Sequence, residues 1–259
     1  MAAWRVILLP GIVTPAGAAF GDLVAELGAD VEAVAKDLEV YATDSPPPGY
    51  SLDVEVDGVL AAARERGWDR FHLAGYSGGA SVALALAATH PDRLSSLALL
   101  EPAWAGNWDD ASLAHQALWP EYERLAALPP HESMPAFVRI QLRPGVVPPA
   151  PPPGDPPPWM ARRPAGIRAL VEAFRTYDLD REALRRFDRP VYFALGGLSN
   201  PDQFADEAER LARVFRDFWL QVFPDRHHFD PPHRAEAPAL AASLRSLWQR
   251  SEATDASWL

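Results

Sequence analysis

Residues 71–79 read Phe71-His72-Leu73-Ala74-Gly75-Tyr76-Ser77-Gly78-Gly79. The run 71–74 has the composition of a short buried strand, and 78–90, rich in Ala, Val and Leu, has the length of a helix. Gly75-Tyr76-Ser77-Gly78-Gly79 between them fits the pattern G-x-S-x-G, in the strand-to-helix setting that the pattern requires. A turn that sharp forces the central residue into a strained backbone conformation, and small neighbours let the flanking backbones approach. Ser77 Oγ then stands above the sheet at a helix N-terminus, which favours negative charge. Ser77 is therefore the candidate nucleophile.

Working outward, strand-like and helix-like segments alternate. Toward the N-terminus, 5–9 reads as a buried strand stopped by Pro10-Gly11. A short helix is expected over 20–27 and a strand region over 31–41, followed by a loop at 45–49. Ser51 caps a helix that ends at Gly67. Toward the C-terminus, Pro91 ends the helix and 97–100 is a strand. The alternation stops at Pro102 and resumes with a strand over 191–195, a helix over 204–215, a strand over 219–223 and a helix over 234–250. The last residues, 251–259, read as a frayed tail. The expected fold class is α/β, a mostly parallel central sheet with helices on both faces.

The interruption has its own composition. Thirteen of the chain's 27 prolines fall between positions 129 and 164. Helices are expected over 113–128, 134–142 and 166–174, but 146–159 is nearly all Pro, Gly and Ala and reads as extended polyproline backbone. Residues 162–189 carry eight arginines against five acids, a pattern expected of a solvated helix face. The aromatic residues of this region, such as Trp104, Trp108 and Phe174, are expected mainly to pack it onto the sheet.

Composition excludes several function classes. Net charge is −11 with no basic run, so there is no electrostatic footprint for nucleic acid and no attraction to an anionic membrane. The chain has no cysteine, which removes thiolate nucleophiles, disulfides and Cys-ligated metals. No apolar run approaches a membrane span, and the first residues lack the pattern of a signal peptide. A cytoplasmic protein is the default expectation. Nothing in the composition fixes the oligomeric state.

From Val6 to the last helix the chain resembles an α/β-hydrolase of the serine-hydrolase type. The resemblance implies a core over 1–103 and 189–259 and a cap, or lid, over 104–188. It also implies partners for Ser77. The base is expected in the loop after the last strand, where Phe223-Pro224-Asp225-Arg226-His227-His228-Phe229 stands. His228 matches by position, with His227 as its alternative. His72 is expected to be packed, His90 to end a helix, and His115, His131 and His233 carry no signal. The orienting acid usually follows the penultimate strand, but Ser199 and Asn200 occupy that place, with Asp202 two positions on. A second location, the end of the strand at 97–100, holds Glu101. Glu101 is the first candidate, Asp202 the second, and a dyad helped by Asn200 or Ser199 the third. Oxyanion donors are expected from the backbone N–H of Gly78 and of Ile12, with Val13 as an alternative.

What the resemblance implies is a serine hydrolase that cleaves an ester or thioester of a small apolar acyl group through an acyl-enzyme, with no cofactor or metal and a small-molecule substrate. A serine nucleophile sets the chain apart from the epoxide hydrolases and haloalkane dehalogenases, which use aspartate. The absent aspartate at Ser199 motivates an alternative, a lyase or ligand-binding relative that keeps the fold with altered chemistry.

Overall fold

Alternation along each strand decides where its side chains go. In the strand Trp4–Leu9 (β1), Val6 and Leu8 pack on one face of the sheet while Ile7 and Leu9 pack on the other. The strands Phe71–Tyr76 (β3), Leu94–Leu100 (β4) and Val191–Gly196 (β5) repeat this division. Both faces are apolar, as a parallel sheet covered on both sides requires. The computed structural model describes residues 3–125, 127–147 and 154–256.

With Val31–Ala35 (β2) and Phe218–Phe223 (β6), these strands form a six-stranded sheet in the order β2-β1-β3-β4-β5-β6. All five pairings are parallel. The helices Ala16–Leu27 (α1) and Ala237–Ala256 (α11) cover one face; Leu52–Glu65 (α2), Gly78–Thr89 (α3) and, later in the chain, Asp206–Ala212 (α9) cover the other. Ser51 caps α2, its hydroxyl accepting from Asp53 N–H at 3.2 Å. Burial of α3 on all sides explains its Ala, Val and Leu composition.

Between β4 and β5 the chain leaves the sheet and forms Leu113–Gln116 (α4), Trp119–Leu125 (α5), Pro130–Ile140 (α6), Arg163–Thr176 (α7) and Arg181–Arg186 (α8). Aromatic packing fastens this insertion to the core. Trp104 stacks on Phe174 at 5.3 Å, and Asn107 ties both, accepting from Trp104 Nε1 and donating to Phe174 C=O, each at 2.8 Å.

Several expectations need correction. The tail is helical through Ala256: Trp4 Nε1 donates to Glu252 at 2.8 Å and Ser251 Oγ to Ser95 C=O at 2.7 Å, so contacts remote in sequence hold a segment that local pattern leaves unmarked. The second strand ends at Ala35, and Glu39–Tyr41 is a 3₁₀ turn held by the buried Glu55 carboxylate, which accepts from Glu39 and Val40 N–H at 2.7 and 2.9 Å. Of the proline-rich run 146–159, residues 148–153 lie outside the described residues, and Pro158–Arg162 is a 3₁₀ turn instead of extended chain. Arg163, expected on a solvated face, is buried with its guanidinium 3.8 Å from the centre of the Tyr41 ring. A short helix, Pro232–Ala235 (α10), a π turn at Pro201–Ala205 and a 3₁₀ turn at Pro91–Arg93 are the remaining helical elements among the described residues.

Candidate active site

The turn at Ser77 is set by glycines on both sides. A Cβ on Gly79 would lie 2.5 Å from Leu9 C=O and 2.6 Å from Pro10 C=O, and one on Gly75 would collide with the Gly79 carbonyl. The close crossing of β1, β3 and α3 therefore tolerates no side chain at either position. Ser77 is left at φ 52°, ψ −120°, outside the regions that ordinary residues favour. Its N–H donates to Leu100 C=O at 3.0 Å, and its own carbonyl accepts from Ala80, Ser81 and Ala103. These bonds hold the strained turn in place.

Glu101 follows β4 directly and is the other non-glycine residue with positive φ, 46°, among the described residues. The kink turns its carboxylate inward, where it is 5% exposed. Oε1 accepts from Gly196 N–H at 2.7 Å, and Oε2 lies 2.9 Å from His228 Nδ1. A carboxylate can only accept, so Nδ1 carries the imidazole proton and Nε2 presents a lone pair. His228 Nε2 is 3.0 Å from Ser77 Oγ. Ser77, His228 and Glu101 thus form one buried hydrogen-bonded chain, from residues 24 and 127 positions apart.

The imidazole is held on its faces as well as its nitrogens. Phe204 stacks on it at 4.5 Å and 14°, and the Tyr76 ring lies at 4.9 Å. The Tyr76 hydroxyl donates to His228 C=O. On its other side Tyr76 meets His233 at 4.6 Å. Burial holds His233 well below the usual imidazole range, at about 3, with the charges of Arg234 and His228 adding to the effect. His233 is a neutral wall of the site, a place to which no local pattern pointed.

The other sequence candidates lie elsewhere. Asp202 is exposed; its N–H donates to Asn200 Oδ1 at 3.0 Å and its C=O faces His115 Nδ1 at 3.1 Å. Asn200 donates from Nδ2 to Ile140 C=O at 2.6 Å, and its N–H donates to Gln141 C=O. Ser199 bridges to Leu142. These residues dock the end of α6 onto the loop after β5; the imidazole has Glu101 for its acid neighbour. His227 turns from Ser77, its Nδ1 accepting from Phe229 N–H at 3.1 Å. His72 is packed in the sheet with Nδ1 2.8 Å from Ser96 Oγ.

Gly78 opens α3, so its N–H has no carbonyl partner within the helix. Ile12 N lies beside it, 3.8 Å from where a Gly78 Cβ would stand. Tyr41 fixes the same loop: its hydroxyl donates to Ile12 C=O at 2.7 Å, which orients the Ile12–Val13 peptide. Burial pushes the Tyr41 hydroxyl up to about 12, so it stays a donor. No cluster of three or more potential metal ligands exists among the described residues, and none of the described helices is long and apolar enough to cross a membrane.

Comparison with known proteins agrees with this architecture. A family model described as the alpha/beta hydrolase fold matches residues 6–134. The chain belongs to the α/β-hydrolase superfamily. Among solved structures it is similar to a thermophilic esterase from Thermogutta terrifontis, with TM-score 0.70 and 17% identity over 96% of this chain and 91% of that one. It is similar to the putative non-heme bromoperoxidase BpoC of Mycobacterium tuberculosis H37Rv, TM-score 0.68 and 17% identity over 96% and 93% of the two chains. The enol-lactonase of Burkholderia xenovorans LB400 aligns with TM-score 0.66 and 17% identity over 95% and 92%. At such identities the likeness is one of fold. No curated protein matches the sequence.

Proposed function

We propose that this chain is a serine hydrolase that cleaves an ester or thioester of an apolar acyl group through an acyl-enzyme, with Ser77 as nucleophile, His228 as base and Glu101 as orienting acid. The observation that carries the proposal is the hydrogen-bonded chain from Ser77 Oγ through both nitrogens of His228 to Glu101.

Ser77 Oγ attacks the substrate carbonyl carbon as its proton passes to His228 Nε2. The Glu101 carboxylate stabilises the imidazolium by accepting from Nδ1–H. The oxyanion forms against the N–H groups of Gly78 and Ile12, each worth about 3–4 kcal/mol in the transition state. When the tetrahedral intermediate collapses, the carbonyl carbon's bond to the leaving oxygen or sulfur breaks, and His228 returns the proton to that atom. Water then repeats the sequence on the acyl-enzyme: its proton goes to His228, its oxygen to the acyl carbon, and Ser77 is regenerated. Residues 104–188 serve as the lid. The chamber on the lid side of Ser77, about 30 Å³, suits the part of an acyl group next to the carbonyl.

The lyase or ligand-binding alternative drew its motive from the missing aspartate at Ser199. Glu101, in contact with His228, removes that motive. The experiment is p-nitrophenyl acetate turnover: a burst of p-nitrophenol equal to the enzyme is expected, and Ser77→Ala should abolish it, with steady-state turnover down by about 10⁴-fold or more. Equal turnover in Ser77→Ala would overturn the proposal.

A further inference from the structure

The space around Ser77 has two unlike sides. Toward His228 a pocket of about 80 Å³ is lined by Tyr76, His233 and Arg234, and only there can His228 hand a proton to a departing group. The opposite chamber is walled by Ile12, Ala103, Leu170 and Phe174 and holds no titratable group except the Tyr122 hydroxyl, which donates to Gln203 and which burial pushes up. The leaving group therefore belongs on the first side and the acyl group on the second.

The acyl chamber is narrow, with room for about two water molecules. It backs onto a cleft of about 610 Å³ between α5, α6 and α7, within the ordinary size range of ligand pockets. The two share Tyr122, Phe137, Ile167 and Val171 as walls, and Leu125 and Met134 extend the apolar lining outward. Rim charges largely cancel, since Arg175 stands 3.8 Å from Glu123 and 3.6 Å from Glu172. Phe137 lines both of these cavities and the His228-side pocket as well, with its ring 6.3 Å from those of Tyr122 and Phe229. It stands on α6 two residues after Pro135, which removes one backbone bond from that helix.

Resting on the Ser77 reading above, we infer that the cleft is the subsite for the distal part of a long, unbranched acyl chain, and that Phe137 determines specificity at its junction with the nucleophile. A passage that is slim beside the carbonyl and wide beyond it admits a methylene chain and rejects branching near the carbonyl. The acyl group thus begins as a small one would and continues past Phe137.

The test compares kcat/KM for p-nitrophenyl octanoate, acetate and 2-ethylhexanoate. The octanoate-to-acetate ratio is expected to exceed about tenfold in the wild type. Met134→Trp and Ser133→Trp, which each fill the outer cleft, should lower that ratio at least tenfold. Phe137→Ala should raise 2-ethylhexanoate turnover relative to octanoate at least fivefold. A wild-type ratio near one, or ratios untouched by both tryptophan variants while acetate is hydrolysed, would overturn the inference. Decanoate binding measured calorimetrically separates it from the hydrolase reading. Ser77→Ala should bind decanoate, and adding Met134→Trp should weaken binding at least tenfold; equal affinities would sink the cleft proposal. Loss of acetate turnover in every form, with that weakening retained, would sink the hydrolase reading and leave the cleft standing.

Discussion

The sheet region and the insertion between β4 and β5 are built on opposite plans. Around Ser77 the backbones of β1, β3 and α3 approach so closely that only glycine fits at 75 and 79, and two residues, Ser77 and Glu101, are held at positive φ. In the insertion, helices α5, α6 and α7, of which α6 carries an internal proline, stand about a cleft of about 610 Å³. Where the chemistry requires atoms fixed to fractions of an ångström, the fold uses rigid crossings of regular elements. In the insertion it leaves space between helices. The two regions share one apolar core, to which the insertion contributes Leu170, Phe174 and Leu184, and they are also joined by Tyr41, which bonds the Ile12 carbonyl and lies under Arg163 of α7.

The strongest way to break this contrast is to disturb the acid without changing its shape. Glu101→Gln is expected to lower kcat by about 10³–10⁴-fold, since an amide at Nδ1 no longer stabilises the imidazolium or enforces the productive tautomer. KM should stay within about threefold, and Asp202→Asn should change kcat less than twofold. A mild Glu101→Gln effect beside a large one for Asp202→Asn would reassign the acid.

A second comparison concerns backbone tolerance. Gly79→Ala forces β1 and α3 apart and should cost about 3 kcal/mol, lowering Tm by roughly 6–12 °C in a thermal melt. Leu113→Gln, on the insertion where the side chain is 83% exposed, should stay within about 0.5 kcal/mol. Equal losses would mean that the two regions are equally rigid.

The smallest effect sharpens the picture of the wall behind His228. His233 is neutral in the folded protein down to about pH 3, whereas in the unfolded chain it takes up a proton below about 6.5. Its stabilising contribution is present above that value and is lost as pH falls toward 3, because the unfolded state binds more protons over this window. His233→Phe removes the dependence. Between pH 7.5 and pH 5 the stability of the variant relative to wild type should shift in its favour by about 2 kcal/mol, read from denaturant melts. No shift would mean that His233 is not the buried neutral group described.

Part of this was legible in the sequence. The strand, the glycine-flanked serine and the apolar helix, with the alternation of strand-like and helix-like segments around them, imply a covered parallel sheet, and the resemblance to α/β-hydrolases implies His228. Glu101 was legible for a physical reason: a strand end faces the same crevice as the nucleophile. What periodicity could not reach depends on contacts between distant segments. The Phe204 ring on His228, the hydroxyls of Tyr41 and Tyr76, and the burial of His233 between Phe20 and Tyr76 all join elements far apart in sequence. The final helix turn at 251–256 is fixed by Trp4 and Ser95, at the other end of the chain. In the insertion, proline composition does not say how the helices enclose space.

The central claim is that Ser77 is activated by His228 under the control of Glu101. It is tested most directly by reaction with a fluorophosphonate, followed by intact-mass measurement and peptide mapping of the adduct. One adduct per chain, located on Ser77, is expected, with the rate of labelling lowered at least about 100-fold in His228→Ala and in Glu101→Gln. Labelling elsewhere, no labelling of folded wild type, or equal rates in all three proteins would contradict it.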